Sequence, residues 1–270
     1  MPPLSAPLTN PRSDRVKAVR ALSRRSVRER AGRFLAEGPQ AVREAVQHSP
    51  DCVVDVYATP AAAQRYAADI LEPALAAGLH VHEVDDEVLA AMCDTGSPQG
   101  VAAVCRVLAA GLDEVLATSP RLLVLLTHVR DPGNAGTVIR GADAVGADAV
   151  LVTDASVDVF GPKVVRSTAG SLFHLPVVTG LAFEPTVERL RAAGIRTLAA
   201  DGAGDRVLGD VDLLGPHAWV MGNEAWGLPE ETRARCDEVV RVPIYGRAES
   251  LNLAMAATVC LYASASAQNG

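Results

Sequence analysis

Val220-Met221-Gly222-Asn223-Glu224, and after it Val242-Pro243-Ile244-Tyr245-Gly246-Arg247-Ala248-Glu249-Ser250-Leu251-Asn252-Leu253, are the stretches whose reading decides the fold. The first is an apolar strand that opens into a polar turn. The second leaves a strand over 239–242 and enters an Ala-rich helix, predicted over 250–265, with Leu253, Val259 and Leu261 as its apolar positions. Upstream, Asn134-Ala135-Gly136-Thr137-Val138-Ile139-Arg140 lies in a helix predicted over 133–145. That helix follows Leu122–Leu126, a continuous apolar run of the kind a parallel sheet covers on both faces.

Working outward, strands are predicted near 149–152, 177–178, 195–199 and 218–221, with helices near 162–169, 184–193 and 229–235. The first hundred residues show a similar alternation. Strands are expected at 33–37, 52–58, 79–84 and 100–105, with helices opened by Pro39 and Pro60 between them. Residues 13–30 read as one helix capped by Ser13 or Asp14, with Val16, Val19 and Leu22 at apolar spacing. Strands alternating with helices imply an α/β layer architecture. The expected organisation is a Pro-rich, disordered 1–11, a first α/β domain over 12–106, a link over 107–120 and a second α/β domain over 121–266. No repeat of fixed period is visible.

Composition bounds the function. No apolar run approaches the ~20 residues of a membrane helix, and the N-terminus lacks a signal-peptide pattern, so a soluble cytoplasmic protein is expected. Cys52, Cys93, Cys105, Cys236 and Cys260 are scattered, odd in number and form no CxxC pair, which reads as reduced thiols. The histidines do not cluster, and no metal site is expected. The net charge of −7 argues against a simple nucleic-acid binder. Its distribution does not: Arg12 to Arg33 holds nine basic and two acidic residues, a net +7 against −14 elsewhere. An acidic protein with one basic arm can still grip phosphates. Arg24, Arg25 and Arg28 are the candidate RNA contacts; the plain alternative is a solvated helix face.

Each polar motif residue has an ordinary structural explanation. Asn134 is a credible helix N-cap, as is Ser250 for the last helix. Arg140 alone reads as a helix-surface arginine. Glu224 suits the start of a helix, where the dipole favours an acid, or it orients Asn134 or Arg140. Asn252 is harder to set aside, because asparagine is a mediocre helix former. Gly222 permits close approach to the backbone. The turn after Leu126 carries neither GxGxxG nor GxxxxGK[ST], the loops that cradle phosphates.

In this order and at these gaps, the three motifs resemble those of the SpoU (TrmH-like) RNA ribose methyltransferases of the SPOUT superfamily, over residues 120–266. The pieces Gly32–Gly38 and Ser97–Val101 are similar to the edges of the small ribosomal-protein-like domain that many members carry first. The resemblance implies methyl transfer from S-adenosylmethionine to a ribose 2′-hydroxyl, without metal, by a homodimer whose C-terminal domain is a deep trefoil knot. It implies Asn134, Arg140, Glu224, Ser250 and Asn252 in the active site, with Arg140 activating the hydroxyl. Arginine holds its proton, so stabilising a developing alkoxide stands beside the role of base. Backbone at Gly222, Val242, Ile244 and Leu251 is implied to hold the cofactor. Ribosomal RNA is favoured over transfer RNA. The competing readings are an inactive RNA-binding protein of the same fold, against which all five polar residues are present, and an unrelated nucleotide-binding α/β enzyme, against which the phosphate loops are absent.

Overall fold

The computed structural model describes residues 5–108 and 110–270. In chain order the elements are β1 (Ser5–Leu8), α1 (Asp14–Ala21), α2 (Arg25–Ala31), β2 (Arg33–Glu37), α3 (Pro39–His48), β3 (Val53–Ala58), α4 (Pro60–Arg65), α5 (Glu72–Ala76), β4 (His80–Val84), α6 (Asp86–Met92) and β5 (Val101–Arg106). They continue with α7 (Leu112–Ala117), β6 (Leu122–Leu126), α8 (Pro132–Ala144), β7 (Ala149–Thr153), α9 (Pro162–Ser167), β8 (Val177–Leu181), α10 (Phe183–Ala192), β9 (Arg196–Ala200), β10 (Arg206–Val207), β11 (His217–Met221), α11 (Glu230–Arg235), β12 (Glu238–Arg241) and α12 (Leu253–Asn269). No helix among the described residues is long and apolar enough to cross a membrane.

Among the described residues the chain forms two compact units, each drawn from two stretches of sequence: 5–108 with 158–174, and 110–157 with 175–270. In the first, the sheet order is β1-β4-β3-β5-β2. Strands β1, β4 and β3 run parallel, and β5 is antiparallel to both β3 and β2. Its core joins Val16, Val19 and Leu22 of the N-terminal helical segment to Leu35, Tyr57, Val88, Leu89 and Met92. Successive strand residues face opposite ways, so Phe34, beside Leu35, serves a second layer. There it meets Phe160 at 5.1 Å and Phe173 at 6.0 Å between ring centroids.

That aromatic contact explains why 158–174 leaves the C-terminal sequence block in which the periodicity placed it. Two ion pairs reinforce it. Arg166 donates to the buried carboxylate of Glu37 at 2.7 Å and to Asp94 at 3.1 Å. Arg28 pairs with Asp158. Residues 158–174, which the sequence reading set inside a continuous second domain over 121–266, thus pack within the first unit. Within the expected link over 107–120, Leu112 and Val115 of α7 are buried in the core of the second unit with Leu123 and Leu125.

Two N-terminal expectations also change. Residues 5–8 are an edge strand, with Ser5 opposite His82 and Leu8 opposite Val84, because extended backbone can hydrogen-bond to the free side of β4; residues 1–4 of the expected disordered stretch lie outside the described residues. The single helix over 13–30 is two, α1 and α2, separated at 22–24, where Ser23 and Arg24 close turns onto Arg20 and Ala21. Ser13 caps α1 through Val16 N.

The second unit is built on a parallel sheet in the order β10-β12-β9-β11-β6-β7-β8. Strands β6, β7 and β11 are buried at every position, as continuous apolar runs in a doubly covered sheet must be. Leu126, Ala200 and Met221 stand in register at the carboxyl edge. In open α/β sheets, that edge is where ligands bind. Helix α12 is fastened across the sheet by a buried network. His217 Nε2 and Trp219 Nε1 both lie within 2.8 Å of Ser264 Oγ, and His217 Nδ1 lies 2.8 Å from Gly215 O. Burial pushes the His217 pKa below its ordinary value. Where α12 crosses α8, Gly141 leaves only 3.3 Å between the position of a side-chain carbon and Thr258 Oγ1.

Candidate active site

Three segments meet at the carboxyl edge of β6 and β11: 127–134, 222–228 and the N-terminus of α12. Asp131 opens α8 by accepting from Asn134 N at 2.8 Å, with Pro132 at the first helical position. The cap is therefore Asp131, not Asn134, and the Asn134 side chain is released for other bonds. After β11 the chain folds back tightly, Asn223 N donating to Gly227 O at 2.9 Å and Gly227 N to Asn223 O at 3.0 Å. A side chain on Gly222 would meet Gly227 O at 2.5 Å. The close approach that needs glycine there is the loop's own. Asn223 is buried and donates from Nδ2 to His128 O at 2.8 Å, tying this loop to the one before α8.

The tie brings Glu224 over the start of α8. Its carboxylate accepts from Arg130 N at 3.3 Å, Asp131 N at 3.2 Å and Asn134 Nδ2 at 3.4 Å. Asn134 Oδ1 in turn accepts from Asn252 Nδ2 at 3.0 Å. Asn252 Oδ1 accepts from Ala254 N at 2.9 Å and Met255 N at 3.3 Å. Helix α12 thus begins at Leu253, and its cap is Asn252; Ser250 lies two residues before the cap, and the expectation that it caps the helix is corrected. The result is a continuous polar chain, Glu224–Asn134–Asn252. A carboxylate only accepts, so it fixes which end of the Asn134 amide faces it. One amide hydrogen on each asparagine is left for a ligand.

The profile of the SpoU rRNA Methylase family matches residues 121–262, more than half of the chain. The chain belongs to that family. A second match, to the MRM3-like substrate binding domain, covers residues 13–103. This SpoU methylase is 34% identical over 251 residues to the 23S rRNA (guanosine(2553)-2'-O)-methyltransferase RlmP of Bacillus subtilis, covering 93% of this chain and 96% of that one. It is 35% identical over 247 residues to a 23S rRNA (uridine(2479)-2'-O)-methyltransferase of Streptomyces viridochromogenes, covering 89% and 85%. The crystal structure of an AdoMet-bound rRNA methyltransferase from Sinorhizobium meliloti superposes with a TM-score of 0.83 at 30% identity, covering 96% of this chain and 97% of the other.

The SpoU methylase assembles some of the expected site residues and leaves others apart. Asn134, Glu224 and Asn252 are joined. Arg140 is exposed on α8 and makes no hydrogen bond or ion pair among the described residues. Ser250 is exposed in the loop before α12. Val242 and Leu251 are half-buried, and Ile244 is exposed. Of the arginines expected to contact RNA, Arg28 is corrected. It is 5% exposed, and it donates to Leu22 O at 2.7 Å, Ser23 O at 2.8 Å and Asp158 at 3.1 Å. Buried and fully engaged, it cannot reach a phosphate. Arg25 is exposed but paired with Glu29 at 2.8 Å. Arg24 is exposed, and its side chain has no partner among the described residues.

Sequence reasoning missed the residues that support the site. Asp201, directly after β9, accepts from Leu228 N at 3.0 Å, Ala203 N at 2.9 Å and Arg233 Nη1 at 3.0 Å. It holds the far end of the 222–228 loop, and a side chain on Gly227 would strike it at 2.7 Å. The Asp201-Gly202 pair at a strand end was the available signal. Asp131 carried the equivalent signal, preceding Pro132 at a helix start.

Proposed function

We propose that this SpoU methylase transfers a methyl group from S-adenosylmethionine to a ribose 2′-hydroxyl of ribosomal RNA. The observation that carries the reading is the Glu224–Asn134–Asn252 chain, in which all three motif segments converge at the carboxyl edge of the sheet. The names of the two relatives at 34% and 35% identity supply the RNA, and the AdoMet-bound neighbour supplies the cofactor.

The residues present fit that cofactor. From 243 to 251 the backbone makes no hydrogen bond among the described residues. Val242, Ile244 and Leu251 flank it with apolar surface. Free amides and carbonyls beside apolar side chains suit the neutral adenosyl group, which needs no phosphate cradle. We assign the holding of it to backbone at Gly222, Val242, Ile244 and Leu251. When bound, S-adenosylmethionine supplies an electrophilic methyl group.

The protein must hold the ribose oxygen in line and accommodate the charge as it loses its proton. Alignment of this kind supplies up to ~7–11 kcal/mol. Glu224 and the cap of α12 lock the Asn134 and Asn252 amides, whose remaining hydrogens orient the ribose and its neighbouring phosphate. The Arg140 guanidinium stabilises the developing alkoxide. Ser250, at the end of the motif loop, provides a further hydroxyl to the same edge.

The finer architecture follows the same reading. The chain leaves β12, two strands from β11, and returns to lay α12 on α8 and β11, a path that supports the trefoil knot with the final segment passing through a loop. Helix α12 also exposes Met255, Val259 and Tyr262 at 62%, 42% and 51%. They recur at helical spacing, so one apolar stripe faces outward; a second copy of the chain is its partner. The first unit selects the RNA, in the cytoplasm where ribosomes are made.

Labelled S-adenosylmethionine incubated with the protein and ribosomal RNA, followed by nucleoside analysis, tests the proposal. A labelled 2′-O-methyl nucleoside is expected. Label on a base, or neither transfer nor cofactor binding by calorimetry, overturns it.

A further inference from the structure

The nine cations of 12–33 do not form one charged face. Arg28 is buried, Arg25 and Lys17 are paired with Glu29 and Asp14, and Arg20 donates to Ala91 O. Four of the others, Arg15, Arg24, Arg30 and Arg33, line a single cleft of about 540 Å³ in the first unit. The side chains of Arg24, Arg30 and Arg33 have no hydrogen-bond or ion-pair partner among the described residues. Arg15 lies 3.1 Å from His82 Nε2. The one carboxylate in the lining, Asp55, is already committed to His82 Nε2 at 2.8 Å. Four guanidiniums against one carboxylate leave the cleft at +3.

Its remaining lining is apolar. Val27 is half-buried, and Tyr57 is 1% exposed with its ring stacked on His82 at 5.2 Å. The volume falls within the roughly 300–1,000 Å³ of small-ligand sites. Charge and shape together select the occupant. Inorganic phosphate uses the rim and not the floor. A duplex presents phosphates but keeps its bases stacked inside. An acidic peptide offers carboxylates and no flat apolar face. An unpaired nucleotide offers an anion and a planar ring in one unit, the form in which RNA is read by stacking and by arginine.

We propose that this cleft binds one unpaired nucleotide of the RNA substrate, its base on the apolar floor and its two flanking phosphates on Arg24, Arg30 and Arg33. The inference rests on RNA being the substrate, as argued above. It moves RNA recognition in the first unit from a basic helix face to a defined concavity.

Binding of the full chain to a fluorescent oligouridylate, to its abasic counterpart of equal length, to duplex RNA and to polyglutamate tests it. The single strand is expected to bind at least about fivefold tighter than the abasic strand or the duplex, the low end for one stacked base. The triple variant Arg24→Gln, Arg30→Gln, Arg33→Gln is expected to weaken that binding about tenfold. Its salt slope should fall by about 1.4, two phosphates at ~0.7 each. Val27→Asp should erase the preference for strand over abasic strand. An unchanged affinity and slope in the triple variant overturns the proposal. Equal binding of strand, abasic strand and duplex by the parent also overturns it, and tighter binding of polyglutamate reassigns the cleft to an acidic protein. Calorimetry with S-adenosylmethionine separates the two readings. If the parent neither binds it nor methylates RNA while the oligonucleotide results hold, the methyltransferase reading fails and the cleft stands.

Discussion

Asn252 does two things with one side chain, and the two can be separated. Its Oδ1 caps α12, and its Nδ2 holds Asn134. Asn252→Asp keeps the cap, because a carboxylate accepts from the same two amides. The second oxygen then faces Asn134 Oδ1, and turning the Asn134 amide over would set its oxygen against Glu224. Methyl transfer should therefore fall by about 10²-fold or more, as when a positioned donor is lost, while the melting temperature holds. Loss of activity in step with melting temperature would assign Asn252 to capping alone. Arg140→Ala should reduce methyl transfer by about 10²–10³-fold with cofactor binding intact, since the guanidinium acts on developing charge; near-normal turnover would remove it from the site. Arg28 is the contrasting case. Arg28→Leu strands the Asp158 carboxylate and should cost about 3 kcal/mol of stability, with RNA affinity per folded molecule unchanged when measured by titration.

At the scale of elements, α12 depends on β11 through His217, Trp219 and Ser264. His217 is buried and its pKa lies below the ordinary 6.5. The unfolded chain therefore takes up the proton first as pH falls. Stability from this group is fully present above about pH 6.5 and is lost below it, towards the folded-state pKa. The slope is at most ~1.4 kcal/mol per pH unit. Denaturant unfolding at pH 7 and pH 5.5 should show the loss, and His217→Gln should flatten it. An unchanged slope in that variant would place the acid sensitivity elsewhere. Because α12 carries Asn252 at its start, loosening it should also lower activity in the same pH range.

At the scale of the molecule, the exposed Met255, Val259 and Tyr262 stripe predicts a dimer. Met255→Glu with Tyr262→Glu should shift the sedimenting species to a monomer; a parent already monomeric at micromolar concentration would refute the partner. Much of this protein was legible before folding. The apolar runs over 122–126, 149–152 and 218–221 became fully buried parallel strands, because a run without alternation has no face to give to water. The motif residues Asn134, Glu224 and Asn252, grouped by the sequence, are joined by hydrogen bonds. What they do was not legible. Local capping signals pointed to Asn134 and Ser250, yet Asp131 and Asn252 hold the caps, because a cap depends on which residue the tertiary fold sets at the helix entrance. The charge run 12–33 looked uniform in one dimension. Only the packed unit separates Arg28, buried on Asp158, from Arg24, Arg30 and Arg33 around a cleft. Likewise, nothing local to 158–174 shows that Phe160 and Phe173 bury themselves on Phe34. Periodicity reports which residues avoid water, and the sequence by itself determined that much. Which distant partner excludes the water is set by long-range packing, and that only the tertiary structure decided.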